Sequence, residues 1–436
     1  MNHLQAILTR GYTPLKTLIL LAFVGLPAIA MAESHATADD EIQARFEEAL
    51  DALNAEKVYT ARRLLKSLLA DYPTLHRARL ELARADYLAR DYDAAEAEIQ
   101  QVLDDPDVPP SVRTTLLAFQ AQIRDDRSTF EQRHGWTGQI YAGLMYDSNV
   151  NFGVGRDIVD INGQLFAVTP QSQETSDGAG VVDAGLLHTY NPNRTFRSGE
   201  DTGFFIWQTQ GNAYYRGYFD ETDFNLGVLT LRTGPAWVVP ENWRFSLGLQ
   251  GDQIWLGGDD LAFFTSLNPA FSKQLSDRTD ITFAAAVTDR NYKRDFDQGR
   301  DGTQWRGGVT LTHLYPNGVW GTQAGIAYTN FDADDDRFGY KGPDVFAGVN
   351  WKAWERGSVY GRVGYRRFEY DAPEPLFTEA RDDDEWRLTA GFRHELASVL
   401  PGWIVRGEWI WSDNSSNNPL FDYDRHQVSL GLQKNF

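Results

Sequence analysis

The chain has 436 residues, with 61 acidic and 41 basic side chains, a formal net charge of −20 and no Cys. The lack of Cys excludes disulfides, thiolate metal sites and a thiol nucleophile, and the acidic balance argues against a general affinity for nucleic acid. Aromatic residues make up 13% of the sequence, and its low mean hydropathy excludes a helical multi-span protein while permitting a β-barrel with a polar interior.

Residues 1–32 are predicted to be a secretory signal peptide. Arg10 and Lys16 precede an apolar run, and an Ala-Met-Ala tract at 30–32 offers the small residues that signal peptidase recognises. The alternative is a transmembrane anchor, but the run has about 12 residues and a membrane-spanning helix needs about 20. We therefore expect the protein to leave the cytoplasm.

Residues 33–130 are predicted to form an all-α, tetratricopeptide-like domain. Apolar residues recur there at helical spacing, and the stretch repeats itself with a period of 34 residues. The matching positions are Phe46 with Leu80, Ala49 with Ala83, Leu53 with Tyr87, Ala61 with Ala95, and Leu65 with Ile99. Two such repeats and a further helix near 111–126 would make a small solenoid, and repeats of this kind bind a peptide or protein. A generic helical hairpin domain is the alternative.

Residues 131–436 are predicted to form an all-β transmembrane barrel of about 14 antiparallel strands. The apolar residues of this region alternate with period two, most clearly in the last three strands. We expect strands near 136–146, 179–190, 202–215, 223–237, 243–255, 261–275, 280–292, 303–315, 319–331, 343–354, 358–370, 384–396, 403–412 and 423–436.

The connections between these strands alternate between short and long. Tight turns are expected near 191–194, 240–242, 276–279, 316–318, 355–357 and 400–402. Outer-membrane barrels combine short periplasmic turns, long outer loops and an even number of strands. The alternation therefore favours a multi-pass barrel in the outer membrane, with the helical domain in the periplasm, over a soluble β-sandwich.

Three of the predicted strands carry charged residues on their polar faces. A charge on the lipid face near the bilayer midplane costs about 2–4 kcal/mol, so these side chains are expected to face the lumen. They either fill the barrel as cross-strand salt bridges or form a wall along which a translocated polypeptide slides. This candidate lumen ladder consists of Arg362, Arg366, Glu385, Arg387, Arg393, Glu395, Arg406 and Glu408.

The chain ends on a strand whose apolar face carries Val428, Leu430, Leu432 and the terminal Phe436. A final Phe after alternating apolar residues resembles the signal that the bacterial barrel-assembly machinery reads. We therefore expect these four residues to direct assembly of the barrel.

The sequence does not predict a metal site or a catalytic site. Acidic clusters at 332–336 and 382–384 could hold Ca²⁺, but they lack EF-hand spacing. Four His residues accompany many Ser residues, but no GxSxG motif marks a nucleophile. The His residues are His188, His313, His394 and His426.

A signal peptide, a short tetratricopeptide domain and a fourteen-stranded barrel together resemble the surface lipoprotein assembly modulator (Slam) family, the outer-membrane component of type XI secretion. The sharpest local match is the tract Tyr146-Asp147-Ser148-Asn149-Val150-Asn151, where the first strand leaves the membrane.

The resemblance implies a non-enzymatic translocator, without a cofactor, that moves a surface lipoprotein or small secreted protein from the periplasm to the cell surface. The implied partners are this client, periplasmic chaperones, the barrel-assembly machinery and outer-membrane lipids. A passive porin-type channel and a polysaccharide export barrel are the alternatives.

Overall fold

The computed structural model describes residues 36–161, 163–397 and 399–436. The predicted signal peptide lies outside the described residues. The chain divides into a helical unit that ends at Glu131 and also contains the segment Arg197–Thr202, and a β unit that contains Gln132–Phe196 and Gly203–Phe436. In the described part of the chain, we find no helix of the length and apolar character needed to cross a membrane.

The described part of the helical unit forms five helices. They are α1 (Ala36–Asn54), α2 (Val58–Asp71), α3 (His76–Leu88), α4 (Tyr92–Leu103) and α5 (Pro110–Phe130). Each helix packs against the next one along the chain. Arg62 links three of them, because it lies 2.6 Å from Asp86 on α3 and 2.6 Å from Asp91, the residue before α4. The predicted all-α class of this region is confirmed.

The positions that repeat with a period of 34 residues form much of the helical core. Nine of the ten matching residues are buried, and Tyr87 is partly buried. Ala49, Ala61, Ala83 and Ala95 are each fully buried, and side chains this small let neighbouring helices approach closely. The repeat in the sequence is therefore a repeat of core positions, while the assignment to the tetratricopeptide class stays a prediction.

The described part of the β unit contains seventeen strands. They are β1 (His134–Asp147), β2 (Ile158–Ile161), β3 (Gln164–Ala167), β4 (Asp177–Tyr190), β5 (Thr195–Ser198), β6 (Asp201–Tyr218), β7 (Leu226–Val239), β8 (Trp243–Leu256), β9 (Asp259–Ser276), β10 (Thr279–Tyr292), β11 (Gly302–Leu314), β12 (Trp320–Ala333), β13 (Tyr340–Trp354), β14 (Gly357–Tyr370), β15 (Asp382–Glu395), β16 (Trp403–Ser416) and β17 (Tyr423–Asn435).

Fourteen of these strands close into an antiparallel ring. The strands from β6 to β17 pair in the order in which they follow one another along the chain. β1 pairs with both β17 and β4, and β4 pairs with β6, which closes the ring. A closed ring leaves no unpaired strand edge, which is the condition for a sheet to cross lipid. The predicted barrel and its number of strands are confirmed.

Three short strands were not expected from the sequence. β2 and β3 form a small hairpin within the connection between β1 and β4, and β5 pairs with the start of β6. The tight turn expected at 191–194 is therefore part of a longer connection. Asn193 has φ +57° and Gly199 has φ +67°, and these two left-handed residues turn the chain into and out of β5.

Most of the longer connections lie at the rim opposite to the one where β1 begins and β17 ends, although 257–258 at that rim is a two-residue turn and 191–200 at the other rim is ten residues long. In outer-membrane barrels long loops face the exterior, so we call this rim the outer rim and the other the inner rim. β1 therefore runs from the inner to the outer rim.

The register shows which face of each strand lines the lumen. Apolar residues such as Leu144 and Leu430 pair with each other and are 66% and 57% exposed. On the opposite face, side chains from strands two places apart touch: Tyr360 of β14 donates to Glu408 of β16 at 2.7 Å. Only the concave side of a ring brings such strands within reach, so the polar face is the interior.

Candidate functional site

The outer half of the interior holds one cluster of the candidate ladder residues, built around Glu385 of β15. Glu385 is 3% exposed and forms an ion pair with Arg366 of β14. It also lies 3.1 Å from Arg387 on its own strand and accepts a hydrogen bond of 3.1 Å from Tyr423 of β17. One buried carboxylate therefore holds two arginines and a tyrosine.

A second cluster lies nearer the inner rim, around Glu408 of β16. Glu408 accepts hydrogen bonds from Tyr360 at 2.7 Å and from Arg406 at 3.1 Å. Arg393 of β15 is directly opposite Arg406 in the register and lies 5.4 Å from the centre of the Tyr360 ring.

The remaining two ladder residues stand apart from both clusters. Arg362 of β14 stacks on the ring of Phe346 at 3.8 Å. Glu395 of β15 is exposed, and within the described part of the chain no cation lies at ion-pair distance from it. The eight predicted residues thus form two clusters and two separate positions on one wall.

The interior beside these residues contains space that water can enter. The side chains of Arg366 and Arg387 are 42% and 54% exposed, although the register turns both inward. Glu385 itself is buried, so these are not surface ion pairs, and removing either arginine would leave part of its charge unpaired. The exposed parts of the two guanidinium groups can still contact a charged group that enters the lumen.

The tract that begins at Tyr146 lies at the outer rim, and its second residue is a carboxylate with several hydrogen-bond donors. Asp147 ends β1 and is fully buried. It accepts hydrogen bonds from Arg425 Nε at 2.8 Å, from the Tyr218 hydroxyl at 2.7 Å and from Gln427 at 3.0 Å. These donors come from β17 and β6, so Asp147 ties three strands together on the lumen side.

The two asparagines of the tract fold the start of the first outer loop. The Asn149 side chain, fully buried, donates to the Gly153 carbonyl at 2.8 Å and accepts from the Gly153 N–H at 2.8 Å. The Asn151 side chain donates to the Gln173 carbonyl at 2.7 Å and accepts from the Thr175 N–H at 3.1 Å. The beginning and the end of the loop are therefore held together.

The other three residues complete the closure of the ring. The Ser148 N–H donates to the His426 carbonyl at 2.9 Å, and its hydroxyl accepts from the His426 N–H at 2.8 Å. Val150 is buried against Ala179. Tyr146 faces outward and is 51% exposed. The tract therefore continues the pairing of β1 with β17 beyond its last ladder pair.

Sequence reasoning located this tract but missed its partners. Arg425 and Tyr218 are 278 and 71 residues away from Asp147. The available signal was a charged residue on the polar face of the final strand, because inward charges in a membrane protein commonly pair with a group of opposite sign.

The terminal residue closes the same seam at the inner rim. The Phe436 N–H donates to the Gly138 carbonyl at 2.9 Å and its carbonyl accepts from the Gly138 N–H at 2.7 Å. Its side chain is 68% exposed, and Val428, Leu430 and Leu432 are also exposed on the outward face of β17. These residues thus present one apolar strip to the surroundings of the barrel.

The acidic outer loops are partly neutralised by arginine. Asp335 accepts hydrogen bonds from Arg337 at 3.0 and 3.1 Å, and this contact holds the pKa of Asp335 below its usual range. Asp383 lies 3.2 Å from Arg381. Within residues 36–161, 163–397 and 399–436, no three His, Cys, Asp or Glu side chains are grouped so that they could hold a metal ion.

Comparison with known proteins supports one family. A family model described as surface lipoprotein assembly modifier matches residues 136–436. A surface lipoprotein assembly modifier from Pasteurella multocida (strain Pm70) is 22% identical over 424 residues, which are 91% of this chain and 77% of that protein.

Solved outer-membrane proteins also match at low identity. A loop L8 deletion mutant of OmpT from Vibrio cholerae has 9% identity and a TM-score of 0.40, covering 70% of this chain and 99% of its own. An anion-selective porin from Comamonas acidovorans has 10% identity and a TM-score of 0.36, with the same coverage of the two chains.

Proposed function

Because this chain belongs to the surface lipoprotein assembly modifier family, we propose that it is a translocator that moves a client lipoprotein, or a small secreted protein, from the periplasm to the cell surface. The chain is an outer-membrane β-barrel protein. The observation that carries the proposal is the closed ring of fourteen strands whose interior holds charged, water-accessible side chains. A lumen of this kind offers an extended polypeptide a polar route across lipid.

The interior clusters support the passage of a charged polypeptide. A client carboxylate can bind the exposed part of the Arg387 guanidinium while Arg366 and Tyr423 continue to hold Glu385. In this proposal no residue is catalytic. The helical unit binds the client, because helical repeats commonly bind peptides.

Surface display of a client tests the proposal. A lipoprotein encoded beside this gene is expressed with and without the gene, and intact cells are labelled with an antibody against that lipoprotein. We expect surface labelling to fall strongly in the deletion strain and to return when the gene is restored. The lipoprotein content of lysates and the labelling of an unrelated surface protein serve as controls. Unchanged labelling in the deletion strain would refute the proposal.

A passive channel for small solutes is the second candidate, and the water-accessible arginines of the interior favour it. Purified protein in planar bilayers distinguishes the two. A large, steady ohmic conductance, together with client display that does not depend on the gene, would support the channel.

A further inference from the structure

The inward-facing arginines of the barrel fall into two groups. Five of them pair with carboxylates: Arg306, Arg366, Arg387, Arg406 and Arg425. Six others also face inward by the register and have no carboxylate at ion-pair distance within the described part of the chain: Arg216, Arg232, Arg244, Arg290, Arg362 and Arg393. Four members of the second group lie between mid-height and the inner rim: Arg232, Arg244, Arg362 and Arg393.

Arg232 and Arg244 lie on neighbouring strands, β7 and β8. Arg232 extends over Gly248, where a Cβ atom would overlap its Nε, so the missing side chain at 248 provides its space. Arg244 is the second residue of β8 from the inner rim and donates a hydrogen bond to the amide oxygen of Gln208. A neutral amide satisfies a donor but does not neutralise its charge, so this wall carries two uncompensated cations.

Arg362 and Arg393 lie on β14 and β15. Arg362 rests on the Phe346 ring. Arg393 is opposite another arginine in the register, and its buried Nε has no hydrogen-bond partner. Like charges directly opposite each other in a sheet destabilise it, and Glu408, the carboxylate of this cluster, is hydrogen-bonded to Arg406 rather than to Arg393.

The two pairs face each other across the lumen. Counting round the ring from β1, β7 and β8 are the fourth and fifth strands, and β14 and β15 are the eleventh and twelfth. Each pair is therefore half a turn from the other. Arg244 and Arg393 are the second and third residues from the inner ends of their strands, so both walls present a cation near the entrance from the inner rim.

We propose that the inner half of the lumen is a binding surface for anionic groups, carboxylates or phosphates, that enter from the inner rim. Guanidinium groups bind both by charge-assisted, often bidentate hydrogen bonds. The inner half also holds the inward carboxylates Asp280, Glu395 and Glu408, but the four arginines together with Arg406 outnumber them. An excess of one sign of charge in a cleft concentrates ions of the opposite sign. The inference rests on the barrel interior and not on the translocator role. Two kinds of ligand carry such anionic groups: an extended polypeptide with acidic side chains, or small phosphate-bearing anions.

Binding of a fluorescein-labelled oligoglutamate peptide to the purified full-length protein in detergent tests the proposal by anisotropy. We expect the double variant Arg232→Gln/Arg244→Gln to bind at least about tenfold more weakly, because two charge-assisted contacts are lost. The double variant Arg232→Lys/Arg244→Lys keeps the charge and should retain most of the binding. Arg367→Gln removes an outward-facing arginine and should change nothing.

Each result bears directly on the proposal. Equal binding by the wild type and the glutamine variant, or equally tight binding of oligolysine, would overturn it. A shift in electrophoretic mobility on boiling verifies that each variant is folded.

Inorganic pyrophosphate, added as a competitor of the labelled peptide, distinguishes the two kinds of ligand. Displacement of the peptide by low concentrations of pyrophosphate supports small anions. Displacement by unlabelled oligoglutamate but not by pyrophosphate supports a polypeptide. If the wild-type protein does not bind the peptide although client display depends on the gene, this inference alone is overturned. If the wild-type protein binds anions normally although deletion of the gene leaves client display unchanged, only the translocator proposal is overturned.

Discussion

At the scale of single residues, the closure of the barrel at the outer rim contains a buried ion pair between Asp147 and Arg425. Arg425 is only 8% exposed at its side chain, and Asp147 neutralises it from the neighbouring strand. The Phe152 ring lies 4.2 Å from the guanidinium carbon. Such a pair adds little net stability when complete, but removing one member leaves an uncompensated buried charge.

We therefore expect Asp147→Asn to destabilise the barrel by about 3–5 kcal/mol, the cost of breaking a buried ion pair. The measurement is the free energy of unfolding in guanidinium chloride, followed by tryptophan fluorescence in detergent micelles. Asp252→Asn is the matched control, because Asp252 also faces inward but is held by Thr230 and Gln250 rather than by an arginine. Equal losses in the two variants would show that the pairing is not the cause.

At the scale of elements, the last strand has a role in addition to its hydrogen bonds. The outward face of β17 carries Val428, Leu430 and Leu432 and continues to Phe436, all of them exposed. Once the ring is closed, the Phe436 side chain packs loosely, so its contribution to the folded barrel is small. A role in recognition during assembly is consistent with that exposure.

We expect Phe436→Ala to lower the amount of folded barrel in outer-membrane fractions several-fold while leaving the unfolding midpoint of the purified protein nearly unchanged. The folded fraction is measured from the heat-modifiable band in electrophoresis. Asn435→Ala changes the neighbouring residue and should assemble normally. A similar yield for Phe436→Ala and the wild type would remove the assembly role.

At the scale of the whole molecule, closure depends on the seam between β1 and β17. This ladder has nine residue pairs, Gln139↔Asn435 to Asp147↔Gln427, whereas β1 and β4 share fourteen. The Asp147 hydrogen bonds and the Ser148–His426 contacts extend the seam at the outer rim. The polar tract therefore compensates for the shortness of the ladder.

The register of the seam can be tested with a disulfide, because the chain has no Cys of its own. Met145 pairs with Ser429, and the two hydrogen bonds between Gly138 and Phe436 make this a non-hydrogen-bonded pair, the closer type. We expect Met145→Cys/Ser429→Cys to oxidise almost completely, as measured by thiol alkylation. Met145→Cys/Gln427→Cys, on the same face but two residues away, should oxidise poorly. The reverse order would mean that the ring closes in another register.

The sequence by itself determined the order of the units, the strand number and the polar face of the barrel. These follow from local periods, 34 residues in the helices and two in the strands, that each segment carries without its neighbours. It placed Glu385, Arg387 and Arg406 on inward faces for the same reason.

Only the tertiary structure decided which of those charges meet. Arg425 reaches Asp147 from 278 positions away, and Arg244 lies half a ring from Arg393. Which residues become neighbours at such separations depends on register and closure, and these are properties of the complete sheet rather than of any strand.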